Sequence, residues 1–147
     1  NCVVFHTAPL PYGRGGSPIQ NLILEGFDKV PVCAIKMTRE LDSGPIYASS
    51  SISLAGSLKD IFSRLNVTVN GLIEEITENN PSAVPQRGEP HIFKRLTIED
   101  NKIPMGLELV EIYDRIRWLI TMSTLMPSSP MTTLKLNSAA RRSLMIL

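Results

Sequence analysis

Residues 2–20, CVVFHTAPLPYGRGGSPIQ, contain the pattern that decides the fold. The apolar run over residues 2–5 predicts a short buried strand, and such continuous runs are typical of a sheet covered on both faces. The stretch rich in proline and glycine that follows predicts a loop over residues 7–16. Ser17 then predicts a helix cap, with Pro18 in the first turn, where a missing N–H is tolerated. The segment therefore predicts strand, loop and helix in that order.

The chain after this segment continues the same alternation. Residues 30–37 predict a second strand, and residues 46–54 predict a third one with a wet, serine-rich face. Ser57 predicts the cap of the clearest helix, which Pro81 stops. The apolar residues of that helix recur at spacings of three and four, which indicates one buried stripe. They are Leu58, Ile61, Phe62, Leu65, Val69, Leu72, Ile73 and Ile76.

The last third of the chain has weaker signals. Residues 81–105 contain four prolines and predict a loop, and residues 106–117 predict a final helix. Leu107, Leu109, Val110, Tyr113 and Ile116 form the predicted apolar face of that helix. Strand, helix, strand, strand and helix together predict an α/β sheet with some antiparallel pairing.

Composition excludes two classes of protein. Hydrophobic residues make up 43% of the 147 residues and charged residues 20%, which is typical of a soluble globular domain and not of a disordered chain. The apolar runs are too short to cross a membrane. The formal net charge is +1, so no global basic field indicates a nucleic acid or an anionic membrane as partner.

The two cysteines indicate the compartment. Cys2 and Cys33 both lie in apolar runs and predict buried, reduced thiols in preference to a disulfide, since disulfide frameworks belong to small secreted chains. No signal peptide is recognisable, and we therefore expect a cytoplasmic protein.

Two residues at predicted strand ends suggest chemistry. His6 directly follows the first predicted strand, and Asp42 lies in the turn after the second. Ligands of open α/β sheets bind beyond the carboxyl ends of the strands, so both residues are expected at the same edge. A carboxylate can fix the tautomer of an imidazole and stabilise its charged form. A histidine at a strand end is more often structural, and the spacing alone leaves both interpretations open.

Two motifs resemble one family. Residues 6–20, with a histidine, a Leu-Pro pair, an Arg-Gly pair and a proline before a helix, resemble the signature of the folate-dependent formyltransferases. Residues 41–44, LDSG, resemble the Leu-Asp-Thr-Gly turn of the same family, and the resemblance extends over about residues 1–117. It is nearest to the methionyl-tRNA and sugar-nucleotide formyltransferases. It implies an α/β fold that forms the C-terminal half of a Rossmann-like formyltransferase domain, with a mixed parallel and antiparallel sheet.

The resemblance also implies an activity and a catalytic pair. The family transfers a formyl group from N10 of 10-formyltetrahydrofolate, its co-substrate, to an amine. By resemblance, His6 stabilises or protonates the oxyanion, and Asp42 orients His6 and moves the proton that the amine loses. Arg39, Glu40 and Leu41 precede that aspartate, where the family's backbone meets the pterin ring. No metal is implied, and the sequence offers no metal-binding cluster.

The same resemblance places Leu10, Pro11, Arg14 and Gly15 in a substrate loop. Arg14 either contacts a phosphate of the acceptor or braces the loop, and the sequence favours neither role. The glycines of residues 13–16 also allow a phosphate cradle at the helix start, but their pattern matches neither a P-loop nor a dinucleotide-binding turn.

One position departs from the family pattern and bears on activity. The family carries asparagine two residues before the histidine, where its amide helps to hold the oxyanion, but here the residue is Val4. Losing one such donor can cost about 3 kcal/mol of transition-state stabilisation. A catalytically inactive remnant or a folate-binding module is therefore an alternative to an enzyme.

The acceptor predicted from sequence is a small amine, an amino-sugar nucleotide. Residues 1–117 carry 12 Lys and Arg against 14 Asp and Glu, a net charge of −2, which gives no basic surface for tRNA. Methionyl-tRNA is the alternative acceptor, because a second domain could bind the tRNA. No membrane partner is expected.

The chain divides into three parts by composition and motif. Residues 1–80 are predicted to be the catalytic part of the domain, incomplete at its N-terminus, and residues 81–117 a connecting loop and helix. Residues 118–147 contain no acidic residue and no glycine, and they lack the Tyr-Pro stretch and strand that the family would place there. Codons compatible with these residues give such a strand in another frame. We therefore interpret residues 118–147 as a frameshifted tail and expect little activity from the 147-residue chain alone.

The alternative for the tail is a genuine basic, flexible segment that serves as a nucleic-acid arm. Its three scattered positive charges make a poor footprint for nucleic acid. The encoding DNA distinguishes the two, because third bases that forbid the shifted codons would exclude the frameshift.

Overall fold

The computed structural model describes the backbone of residues 2–125 and the side chains of residues 2–117. The strands are β1 (Val3–Thr7), β2 (Tyr12–Gly15), β3 (Lys29–Lys36), β4 (Ile46–Ser53) and β5 (His91–Phe93). The helices are α1 (Pro18–Leu24), α2 (Leu58–Asn79) and α3 (Leu109–Leu125), with a short 3₁₀ helix at Ile98–Asn101.

Two sheets organise these elements. The larger has the order β1-β3-β4 with antiparallel pairing throughout, and its register sets Val3 opposite Lys36 and Thr7 opposite Val32. The smaller pairs β2 with β5 in parallel. The predicted α/β class with parallel and antiparallel pairing is therefore confirmed.

The core lies between the larger sheet and the helices α1 and α2. Leu22 and Ile23 of α1 and Ile61 of α2 are completely buried, against Val30 and Val32 of β3. Burying each such side chain stabilises the fold by roughly 1.5–3 kcal/mol. The apolar spacing of both helices therefore sets which of their faces packs on the sheet.

The predicted stripe of α2 is wider than the face that is buried. Leu58, Ile61 and Leu72 are buried, and Leu65, Val69 and Ile76 pack partly against the core. Phe62 and Ile73, at the margins of the stripe, are exposed. The predicted packing role therefore holds for the centre of the stripe.

The two serines predicted as helix caps behave differently. Ser57 forms a full capping box, in which its hydroxyl accepts from the Asp60 N–H and its own N–H donates to the Asp60 carboxylate. The hydrogen bonds from Ser57 lower the pKa of Asp60. Ser17 stands at the start of α1 with φ 51° and makes no cap bond. Its hydroxyl instead accepts from the Leu96 N–H, which ties α1 to the segment after β5.

Two strands lie in segments predicted to be loops. β2 falls in the predicted loop over residues 7–16, and β5 falls in the predicted loop over residues 81–105. Strands of three or four residues are too short to show a hydrophobic period, and these two form only by pairing with each other. The buried side chain of Phe93 fixes the pair against the core.

The last helix differs most from its prediction. α3 begins at Leu109, later than the predicted start at residue 106, and continues to Leu125, beyond the predicted end at residue 117. Its predicted apolar face is largely exposed, including Leu109, Val110 and Tyr113. Arg117 donates to the backbone oxygens of Leu54 and Gly56 and so ties the helix to the start of α2.

The backbone of α3 includes the first residues of the predicted tail, and residues 126–147 lie outside the described part of the chain. The frameshift interpretation therefore stays a prediction. Among residues 2–125, no helix is both long enough and apolar enough to cross a membrane.

Candidate active site

The structure brings His6 and Asp42 together. His6 lies within β1, opposite Cys33 of β3, and not after the strand as its sequence position suggested. Asp42 lies on the loop of residues 37–45, which joins β3 to β4. The Nδ1 atom of His6 is 3.5 Å from Oδ2 of Asp42, and the two side chains are only 7% and 11% exposed. The pair is therefore nearly shielded from solvent.

The reason for this proximity differs from the one the sequence suggested. β1 and β3 are antiparallel, so their carboxyl ends lie at opposite edges of the sheet. The 37–45 loop instead folds back along β1, and Asp42 adopts a left-handed conformation with φ 50° at its turn. A non-glycine residue in this region is uncommon, and the surrounding contacts hold it there.

Hydrogen bonds fix both members of the pair. Nε2 of His6 lies 2.7 Å from the backbone oxygen of Gly13, which can only accept, so Nε2 carries a proton. Oδ2 of Asp42 accepts from the N–H of Gly15 at 2.9 Å. The β2 strand thus holds the imidazole through one residue and the carboxylate through another.

Two glycines of β2 permit this approach. Gly13 and Gly15 have φ of +84° and +100°, and a Cβ there would lie 2.7 Å from the Phe93 ring and 2.6 Å from the Phe93 backbone oxygen, respectively. The N–H of Gly15 donates to Asp42 and that of Gly16 to Phe93. Because these amides already have partners, the geometry does not support the phosphate cradle considered from the sequence.

A surface pocket of about 310 Å³ adjoins the pair. It is bounded by Val4, the end of β3 and the 37–45 loop, and its lining includes Arg39, Glu40, Leu41 and Asp42. Four of the predicted site residues therefore share one wall. Val4, at the position where the family carries asparagine, presents an aliphatic side chain to the same pocket.

The other predicted site residues lie away from the pocket lining. His6 contacts Asp42 but is not a lining residue, and Leu10, Pro11, Arg14 and Gly15 belong to the β1–β2 connection and to β2. Asp42 is therefore the member of the predicted catalytic pair that lines the pocket.

Arg14 braces the loop in this structure. Its Nε and a terminal nitrogen both donate to Oε1 of Gln86, at 3.0 and 2.7 Å. Nε2 of Gln86 in turn donates to the backbone oxygens of Asp42 and Gly44, each at 2.8 Å. The sequence did not single out Gln86, and no local signal could have done so, because its partners are about 40 and 70 residues away along the chain.

The two cysteines separate in the structure. Cys33 is buried beneath His6 in the β1–β3 pair, and burial raises the pKa of its thiol, against a smaller opposing effect of the Leu10 backbone. Cys2 is exposed, contrary to the prediction that both thiols are buried, because it precedes β1 at the end of the edge strand. Both cysteines are free thiols.

Metal ligands do not cluster here. Within the part of the chain that the structure describes, no three His, Cys, Asp or Glu side chains gather as a metal site. That the reaction needs no metal stays a prediction.

These features place a histidine in contact with an aspartate beside a pocket of an α/β domain. Comparison with known proteins identifies relatives of the same kind. The chain is 32% identical over 124 residues to the methionyl-tRNA formyltransferase of Sulfurihydrogenibium sp. (strain YO3AOP1), over 78% of this chain and 39% of that protein. No family model matches the chain.

Solved structures agree with this relationship. The methionyl-tRNA formyltransferase from Clostridium thermocellum superposes with a TM-score of 0.77 and 40% identity, over 80% of this chain and 52% of that one. An N-formyltransferase from Helicobacter canadensis, in complex with folinic acid and dTDP-3-aminofucose, shares the fold with a TM-score of 0.68 and 21% identity, over 86% of this chain and 50% of that one.

The homologues and structural neighbours are thus formyltransferases, which confirms the family that the two motifs indicated. The chain spans about two fifths of the length of the curated relatives it matches and about half of the superposed structures.

Proposed function

We propose that the natural protein containing this chain transfers a formyl group from 10-formyltetrahydrofolate to an amine. The observation that carries the proposal is the buried His6–Asp42 pair, whose aspartate is a lining residue of the pocket. A paired, shielded carboxylate beside a pocket is suited to proton transfer at a bound substrate.

The residues divide the proton chemistry between them. The acceptor amine attacks the formyl carbon and loses a proton to Asp42, the bond from that carbon to N10 breaks, and the proton passes from Asp42 to the leaving N10. Oδ2 of Asp42 is held by Gly15 and faces His6, so we assign the proton to Oδ1. Nε2–H of His6 is fixed on Gly13 and Nδ1 faces Oδ2 of Asp42, so we assign His6 the role of orienting the Asp42 carboxylate.

The lining of the pocket suits the pterin end of the folate co-substrate. Val4, Ile35 and Leu41 give it apolar surface for a flat heterocycle, and residues of the 37–45 loop form most of its lining. We assign the pterin ring to the segment of Arg39, Glu40 and Leu41. When bound, 10-formyltetrahydrofolate supplies the activated formyl group. In this proposal Val4 leaves the oxyanion with one donor fewer than the family pattern provides.

Sequence similarity favours methionyl-tRNA as the acceptor. The relatives at 32% and 40% identity are methionyl-tRNA formyltransferases, whereas the sugar N-formyltransferase at 21% supports the fold alone. The second candidate is an amino-sugar nucleotide, the acceptor expected from the sequence. The net charge of −2 over residues 1–117 favours it, because tRNA binding by this region would need a basic surface.

One assay tests the activity and the acceptor together. The full-length natural protein is supplied with 10-formyltetrahydrofolate and either methionyl-tRNA or a set of amino-sugar nucleotides, and formylated product is measured. We expect product with methionyl-tRNA. Product with a sugar nucleotide alone would establish the second candidate.

Absence of turnover with every acceptor would contradict the proposed transfer. Binding of 5-formyltetrahydrofolate then separates the two remaining possibilities. Tight binding without turnover identifies a folate-binding module, and no binding identifies an inactive remnant.

A further inference from the structure

We propose that Gln86 is a positioning residue that holds Asp42 in its reactive place, an inference that rests on the proposed formyl transfer. Its side chain joins its own segment to two other parts of the chain: β2 through Arg14, and the turn of the 37–45 loop through Asp42 and Gly44. The amide lies about 40 residues from that turn in sequence, so only the tertiary fold brings it there.

The hydrogen bonds of Gln86 use its full capacity. A primary amide offers two N–H donors and two acceptor sites on oxygen. Oε1 accepts twice from Arg14, and Nε2 donates once to Asp42 and once to Gly44. The orientation of the amide is unambiguous, because an arginine can only donate and a backbone oxygen can only accept.

Few other side chains can replace this one. Glutamate would keep the acceptor for Arg14 but would turn an oxygen toward two backbone oxygens. Asparagine is one methylene shorter and cannot span the same gap. The position thus requires an amide of this length. Gln86 is not a lining residue of the pocket, and its only contact with the His6–Asp42 pair is the hydrogen bond to the Asp42 backbone oxygen.

The bond to the Asp42 backbone complements the bond to its side chain. Gly15 holds the carboxylate from one side, and Gln86 holds the peptide oxygen of the same residue from the other. Asp42 sits in a left-handed conformation that an L-residue adopts reluctantly. Without Gln86 the turn can relax, and the carboxylate then moves relative to His6 and to the pocket.

The experiment compares Gln86→Glu and Gln86→Ala with the parent in the full-length natural protein. Arg87→Ala is the matched control, because Arg87 is the exposed neighbour on the same segment. We expect kcat to fall about thirtyfold in both Gln86 variants, because both lose the two hydrogen bonds that Nε2 donates to the loop, of about 1 kcal/mol each. KM for 10-formyltetrahydrofolate should stay within about twofold, because the pterin segment lies earlier in the loop. Arg87→Ala should match the parent in both constants.

A second measurement reports on Asp42 without any turnover. Hydrogen exchange of the Gly15 amide, which donates to the Asp42 carboxylate, should be at least about tenfold faster in both Gln86 variants and unchanged in Arg87→Ala. Gln86→Glu retains an acceptor for Arg14 and is the variant expected to fold if Gln86→Ala does not.

Unchanged kcat together with unchanged Gly15 exchange overturns the inference. A fall in kcat accompanied by a rise in KM and a fall in melting temperature also overturns it, as does failure of Gln86→Glu to fold. Either result indicates a general structural role. If the parent itself shows no turnover, the proposed function fails, and Gly15 exchange alone then decides whether Gln86 positions Asp42.

Discussion

The two halves of the 37–45 loop differ in how they are held. The second half, at Asp42 and Gly44, is bonded to β1, to β2 and to the segment before β5 through His6, Gly15 and Gln86. In the first half, Met37 and Leu41 are 61% and 69% exposed. Here the Thr38 hydroxyl bonds only within the loop, to Glu40 and Ser43. The loop therefore has a half that long-range hydrogen bonds fix, around Asp42 and Gly44 (the pinned half), and a half with mostly exposed side chains, from Met37 to Leu41 (the exposed half).

The difference separates two requirements of the proposed reaction. Proton transfer needs a carboxylate fixed to within a fraction of an ångström, which the long-range bonds of the pinned half provide. The wall of a binding pocket can adjust to its ligand. The exposed half of the loop lines the pocket, and few long-range hydrogen bonds restrain its side chains. We therefore expect substitutions in the pinned half to reduce catalysis and those in the exposed half to alter affinity.

The largest effect is expected for Asp42→Asn. The amide keeps the size of the side chain but cannot take the proton from the amine, so kcat should fall about 10²- to 10⁴-fold. Steady-state kinetics with 10-formyltetrahydrofolate would measure the loss, and circular dichroism would verify folding. A variant that retains more than about a tenth of the parent rate would remove Asp42 from the proposed mechanism.

Gly44→Ala should produce the next largest effect, on stability. A Cβ at Gly44 would overlap the backbone oxygen of Lys36, so the turn must shift. We expect a loss of about 1–3 kcal/mol in the free energy of unfolding, typical of overpacking. Urea denaturation measures it. Gly71→Ala is the matched control, since a Cβ there meets open space on a helix and should be neutral or stabilising.

Leu41→Ala tests the exposed half. The side chain lines the pocket while remaining mostly in solvent, so its removal should weaken folate binding by about threefold to tenfold. The free energy of unfolding should change by less than about 0.5 kcal/mol. Titration calorimetry with 5-formyltetrahydrofolate provides the affinity. A large loss of stability would mean that this half is not the loosely held one.

Thr38→Val should have the smallest effect. It removes the local bonds to Glu40 and Ser43 at an exposed site, and we expect less than about 1 kcal/mol of destabilisation with kcat within about twofold. Thermal unfolding and the same kinetic assay measure both quantities. A tenfold fall in kcat would show that the two halves are mechanically coupled.

Residues with strong local signals were predictable from the sequence. The β3 and β4 strands, the Ser57 capping box and the buried centre of α2 follow from apolar spacing and cap chemistry, which act over a few residues. β2 and β5 were missed because each is stabilised only by its distant partner. Ser17 carried a cap signal, but its hydroxyl bonds to Leu96 instead, a competition that no local pattern reveals.

The candidate site divides in the same way. The motifs identified His6 and Asp42 through chemistry that residue type alone conveys. Their proximity was expected from a shared strand edge, whereas the antiparallel pairing of β1 and β3 places those ends apart and the folded-back loop brings the residues together. Gln86 gave no signal, because a glutamine in a polar loop is ordinary until its three partner residues are in place.

The sequence by itself determined the α/β class, the family and the two groups suited to acid–base chemistry, because these depend on residue type and short spacing. Only the tertiary structure decided that Asp42 and not His6 reaches the pocket, that Arg14 braces the loop and that Gln86 ties it down. The physical reason is that hydrogen bonds between residues far apart in sequence depend on the final packing of the whole sheet. Such bonds produce no periodic pattern in the amino-acid sequence.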